Sequence, residues 1–145
     1  MKMHLIIILL AVFLLAPASA NARDTVQTFL ISEVMENPEY AARLQGVKFF
    51  FGDQSHPPPI KEFGEYRTNK KTNAFNKTDK YACQWTMLSA LLQLQQRAIE
   101  LGGNAVVNIK SNYKNVPVSS ETEFTCGAGA FVAGVALIGD IISTQ

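Results

Sequence analysis

Residues 78–109 read TDKYACQWTMLSALLQLQQRAIELGGNAVVNI, and this run predicts a long helix, a glycine stop and a buried strand. Thr78 suits the N-cap, because its hydroxyl can accept from a first-turn amide that has no intrahelical partner. Asp79 then sets an anion at the positive end of the helix dipole. No Pro or Gly interrupts Asp79 to Leu101, and Ala, Leu, Gln, Met and Glu dominate the run. Cys83, Met87, Ala90, Leu91, Leu94, Ala98 and Leu101 recur at steps of three and four, which makes one apolar face. Trp85, Leu88, Leu92 and Ile99 widen it, so the helix is expected to be covered on more than one side. Gln93, Gln95, Gln96, Arg97 and Glu100 are expected to face water. Gly102 stands where a left-handed C′ residue is wanted. Core packing explains the Met and Leu stripe better than a cofactor site does.

Asn104 to Ile109 (NAVVNI) is short and rich in β-branched residues, as a buried strand should be. A helix joined through two glycines to such a strand implies a helix lying across a sheet. The fold class expected is α+β, one small domain with a mainly antiparallel sheet packed by one long helix over residues 79–101.

The chain opens MKMHLIIILLAVFLLAPASA. Lys2 supplies a positive start, Leu5 to Leu15 an apolar run, and Ala18-Ser19-Ala20 a small-x-small cleavage site. Residues 1–20 therefore read as a cleaved secretory signal, with Ala20-Asn21-Ala22 as a second possible site, so that cleavage falls after 20 or 22. The apolar run is short for a membrane span, and no cysteine follows it to accept a lipid anchor. The expected product is one domain over 21–145, soluble in the periplasm or secreted, of about 125 residues and so large enough for a real core. The formal charge of +1 falls to about zero once Lys2 is removed. A neutral domain lacks the electrostatic footprint of nucleic-acid binding.

The chain has two cysteines. In an exported protein they favour one disulfide, Cys83 to Cys126, tying the helix to a strand. Closing a loop of that size is worth roughly 4 kcal/mol in the chain-entropy model. The alternative is a reactive Cys83 with a lowered pKa near the helix N-terminus. Their spacing rules out a CxxC redox motif.

Elsewhere, Asp24 to Ser32 reads as an opening edge strand, and Glu33 to Leu44 as a turn and short helix with Asn37 as cap and Pro38 in the first turn. Val47 to Phe51 (VKFFF) is a strong strand. Gly52 to Pro59 (GDQSHPPP) is a loop, in which Asp53 and His56 are the weak candidates for a metal. Its prolines form a rigid spacer or a docking surface. Ile60 to Thr68 is a strand with a glycine irregularity. Asn69 to Lys77 is expected as a polar lead-in to the helix. Arg67, Lys70, Lys71 and Lys77 form the one basic cluster, flanked by Tyr66 and Phe75. That mixture occurs in single-strand nucleic-acid sites, but an exported neutral protein favours a solvated segment, with contact to an anionic surface next. Lys110 to Val118 continues the buried strand and turns at Asn115 and Pro117. Ser119 to Cys126 alternates as a half-exposed strand, with Glu121 and Glu123 on its solvated face. Gly127 to Ile142 reads as a core strand beneath the helix. It is no dinucleotide fingerprint, because the glycine spacing is wrong.

The helix, GGNAVVNI, the polar hairpin, Cys126 and Ala133-Gly134-Val135-Ala136-Leu137 together resemble the RcsF/YbjQ-like proteins, small α+β domains. The resemblance covers Lys80 to Ile138. It implies that one of that family's disulfides corresponds to Cys83–Cys126, and its YbjQ-like branch implies metal or small-ligand binding. The chain departs from the family in lacking a lipid-anchor cysteine and a second cysteine pair. The whole chain is more similar to a group of exported bacterial proteins that share FGDQ (51–54), TNKKTNAF (68–75), GGNAVVNI (102–109), SSETE (119–123) and the GAFVAGVAL tail. Some of that group carry the label "excinuclease ATPase subunit". Here there is no GxxxxGK[ST] phosphate loop and no zinc-type cysteine set.

The functional expectation is a non-catalytic, periplasmic binding or envelope-associated module with an envelope protein as partner and no cofactor. A metal or small-ligand binder using Cys83, Cys126, His56 or Asp53 is the alternative. An enzyme would have to use His56, the one histidine outside the signal, and catalytic residues are not assigned.

Overall fold

The computed structural model describes residues 23–145, so the expected signal and both cleavage positions lie outside it. The elements run β1 (Asp24–Leu30), α1 (Ile31–Met35), α2 (Pro38–Arg43), β2 (Lys48–Phe51), β3 (Lys61–Asn73), α3 (Asp79–Leu101), β4 (Ala105–Ser111), a 3-10 turn (Tyr113–Asn115), β5 (Glu123–Gly129) and β6 (Val132–Ser143). They form a small α+β domain, with a six-stranded, mostly antiparallel sheet and one long helix across it.

β6 is the spine of the sheet. β3 runs antiparallel along its whole length, from Asn73 opposite Val132 to Lys61 opposite Ser143. The other edge of β6 is shared. Ala133 and Gly134 pair with Ala128 and Gly127 of β5, and Leu137 to Ile142 pair with β4. The two sharers diverge, and the Ser111 hydroxyl bridges them by accepting from the Thr125 amide at 2.8 Å. β1 adds antiparallel to β5, and β2 adds parallel to β4.

Helix α3 begins and ends as its sequence dictates. Thr78 Oγ1 accepts from the Tyr81 amide at 3.2 Å, and Gly102 adopts φ 83°. Its buried face, including Cys83, Met87, Leu91, Leu94 and Ala98, packs on Val135, Leu137 and Ile141 of β6 and Phe124 of β5. Ile99 departs from expectation. It is 56% exposed, because the sheet covers only one side of the last helical turns. The Cys83–Cys126 disulfide (Cα–Cα 5.9 Å) joins the second turn of α3 to β5, and both residues are fully buried. A smaller cluster of Ala105, Val107, Ile142 and Phe50 closes the opposite face of the sheet.

Four other segments differ from expectation. Gly127 to Ile142 is two strands folded at Ala130-Phe131, not one. The expected lead-in from Asn69 is instead the last third of β3, held to Asn73 by its pairing with β6. Ser119 to Thr122 is a turn rather than strand, because Ser120 Oγ accepts from the amides of Thr122 and Glu123 and pulls the chain round. Ile31 and Ser32 open helix α1 rather than ending the first strand.

Candidate functional site

Of the sequence-predicted site residues, the two cysteines meet as the expected disulfide, and Asp53 and His56 do not join them. Cys83 and Cys126 are bonded to each other in the core, so the reactive-thiol alternative for Cys83 is overturned and neither sulfur is free to hold a metal. His56 is exposed on its proline loop. Its Nδ1 lies 2.9 Å from the Pro57 carbonyl, and its ring lies 5.7 Å from that of Phe50. Asp53 is exposed on the same loop. Among the described residues, no three His, Cys, Asp or Glu side chains cluster as a metal site would require. Glu121 and Glu123 do not share a strand face, because Glu121 lies in the turn. Glu123 accepts instead from Thr28 Oγ1 at 3.3 Å.

What the fold does assemble is one end of the molecule. Three features meet there: the C-terminal end of β3, the β5–β6 turn and the N-terminus of α3. The Ala74 amide donates to the Phe131 carbonyl at 2.8 Å, which ties the segment after β3 to the β5–β6 turn. Arg23 ties β1 to α3, with Nη2 at 2.6 Å from Asp79 Oδ1, and it also reaches the Gly129 carbonyl at 3.3 Å. Gln27 donates to the same Asp79 carboxylate at 2.9 Å. Hydrogen bonds from Arg23 and then Gln27 hold the Asp79 pKa below the usual carboxylate value.

This end carries a stacked aromatic pair. The Phe75 and Phe131 rings are 5.6 Å apart and 4° from parallel. Tyr81, on the first turn of α3, is also exposed and lines a cleft with Lys77.

A groove of about 480 Å³ runs from Phe131 across the outer sheet face, the face away from α3. Gly127, Gly134 and Ala136 form its floor, and Tyr113, Lys114 and Lys71 stand along its sides. Gly127 is required by Tyr113: a Cβ there would collide with the Tyr113 ring and hydroxyl, so the ring packs on bare backbone. Lys114 Nζ sits 5.5 Å from the Tyr113 ring centre and 3.5 Å from Asp24 Oδ2. Arg23 and Asp24 complete the groove near Phe131. The arrangement offers apolar contact, two aromatic edges and cationic side chains. It offers no nucleophile–base pair.

By sequence alone Phe75 and the basic cluster belong to a solvated lead-in, and Phe131 to a core strand. The two rings meet only through the β3–β6 pairing, and no local signal in either segment announces it. No protein-family model, curated protein or solved structure matches the chain.

Proposed function

We propose that the protein is an exported, non-catalytic binding module of the bacterial envelope, working through the Phe75–Phe131 end of the sheet. The observation that carries this reading is the groove of about 480 Å³ that opens beside a stacked, solvent-exposed aromatic pair. Large exposed aromatics with polar surroundings mark interaction sites rather than ordinary surface. The signal-like leader and the buried disulfide support an oxidising compartment outside the cytoplasm. The resemblance to RcsF/YbjQ-like domains belongs to the same reading. The metal-binding alternative retains only His56 and Asp53 on an exposed loop, since the cysteines are bonded to one another.

Fractionation of cells expressing the full chain tests this. Wild-type protein is expected in the envelope fraction. The Phe75→Ala/Phe131→Ala double variant is expected in the soluble periplasmic fraction, with its disulfide intact. Recovery of both proteins from the cytoplasm, or an unchanged envelope share for the double variant, refutes it.

A further inference from the structure

We infer that the Phe75–Phe131 end docks on the surface of an anionic lipid bilayer, with the two rings entering the headgroup–acyl boundary. This rests on the proposed function and names its partner.

Charge along the molecule points to that partner. From Tyr66 to Thr78 there are four cations, Arg67, Lys70, Lys71 and Lys77, and no carboxylate. At the aromatic end itself the carboxylates are Asp24, Asp79 and Glu33, and each is already paired, with Lys114, Arg23 and Lys80. Lys71 and Lys77 have no ion-pair partner among the described residues, and Lys77 Nζ donates instead to the Asn73 carbonyl at 2.9 Å. Glu62 and Glu65 lie toward the far end of β3, and Glu100 lies at the far end of α3. The domain is thus close to neutral in total, yet the end bearing the exposed rings carries a cationic excess. A bilayer with anionic headgroups attracts such a collar over about a Debye length.

The apolar part has the matching geometry. Phe75 and Phe131 are 57% and 66% exposed, and Val132, beside Phe131, is 49% exposed. Phe75 and Phe131 come from two connecting segments at one end, and Val132 opens β6 beside them, so the two rings can enter an interface together without disturbing the sheet. Lys71, which has no ion-pair partner among the described residues, stands beside the groove behind Phe131, where it can meet a headgroup phosphate. Tyr81 adds an amphipathic ring, the kind that favours the headgroup level. No helix among the described residues is long and apolar enough to cross a membrane. The attachment inferred is therefore peripheral.

Co-sedimentation of the purified protein, disulfide intact, with phosphatidylglycerol/phosphatidylethanolamine vesicles tests this, with phosphatidylcholine vesicles as reference. Binding is expected to the anionic vesicles alone and to weaken with added salt. Lys71→Gln and Lys77→Gln should each weaken it about fivefold. Phe75→Ala and Phe131→Ala should each weaken it tenfold or more. Circular dichroism confirms that each variant is folded. No binding to anionic vesicles overturns the inference, and so does equal binding by wild type and the folded double phenylalanine variant. If the vesicles fail while the same double variant still leaves the envelope fraction in cells, the lipid partner is wrong and the binding module survives. If both fail, the proposed function falls too.

Discussion

The Phe75 and Phe131 rings lie 5.6 Å apart and 4° from parallel, yet both stay largely in solvent. A stack formed for stability would be expected to sit under cover, because most of an aromatic ring's contribution comes from burial. Here the stack holds two anchors side by side at a chain reversal.

Stability and binding should therefore separate at this pair. Phe131→Ala should cost no more than about 1 kcal/mol of folding free energy, the scale of a single exposed aromatic contact. The same substitution should remove most of the protein from the envelope fraction. Urea denaturation beside fractionation checks both. A loss of several kcal/mol would make the ring structural.

The disulfide should behave in the opposite way. Replacing Cys83 and Cys126 with Ala opens a link across 43 residues of chain. The chain-entropy model assigns about 4 kcal/mol to such a link, a large part of a small domain's stability. The urea midpoint of the double variant should fall steeply and should no longer respond to reductant. A midpoint equal to that of oxidised wild type would contradict a stabilising bridge.

Acid stability should depend on Asp79. Its folded pKa lies below the unfolded value because Arg23 and Gln27 donate to the carboxylate. A group depressed in the folded state contributes stability above its unfolded pKa, near 3.9. That contribution fades as pH falls through the folded pKa. Wild type should thus lose Tm more steeply below about pH 4 than Asp79→Asn does. Thermal melts across pH 2–6 read the difference, and parallel curves would show that the pair contributes nothing.

Gly139 should tolerate no side chain. A Cβ there would lie 2.8 Å from Val106 Cγ1 and 3.2 Å from Ile109 Cγ1, both in the core between β6 and β4. Gly139→Ala should destabilise by about 1–3 kcal/mol through overpacking. Gly134→Ala, whose nearest neighbours would be 3.8 Å away, should be nearly silent. Equal midpoints for the two variants would contradict this packing.

The parts of the fold that local chemistry specifies were readable from the chain. Thr78, the uninterrupted run to Leu101 and Gly102 gave both ends of α3, since cap, body and stop agree there. Asn37 and Pro38 marked α2 in the same way, with Asn37 Oδ1 accepting from the Glu39 and Tyr40 amides. The disulfide was legible because only two cysteines exist to pair. Long-range pairing decided what was missed. Lys70, Lys71 and Asn73 look like loop residues, yet their backbone is held by β6, and a strand with one free edge can carry charge. Gly127, Gly129 and Gly134 erase the alternation that would have revealed a hairpin, so the reversal at Ala130-Phe131 was invisible. The candidate site suffered from the same blindness. Phe75 was visible as a lone aromatic, but Phe131 joins it only after β3 and β6 have paired.

The most direct test is photo-cross-linking in intact cells, with p-benzoylphenylalanine at position 131. A control carries it at position 60, where Ile60 is 64% exposed beside the proline loop, away from the aromatic end. Docking through the Phe75–Phe131 end predicts adducts with envelope components from position 131 and few or none from position 60. Equal adducts from both positions, or none from position 131, would contradict it.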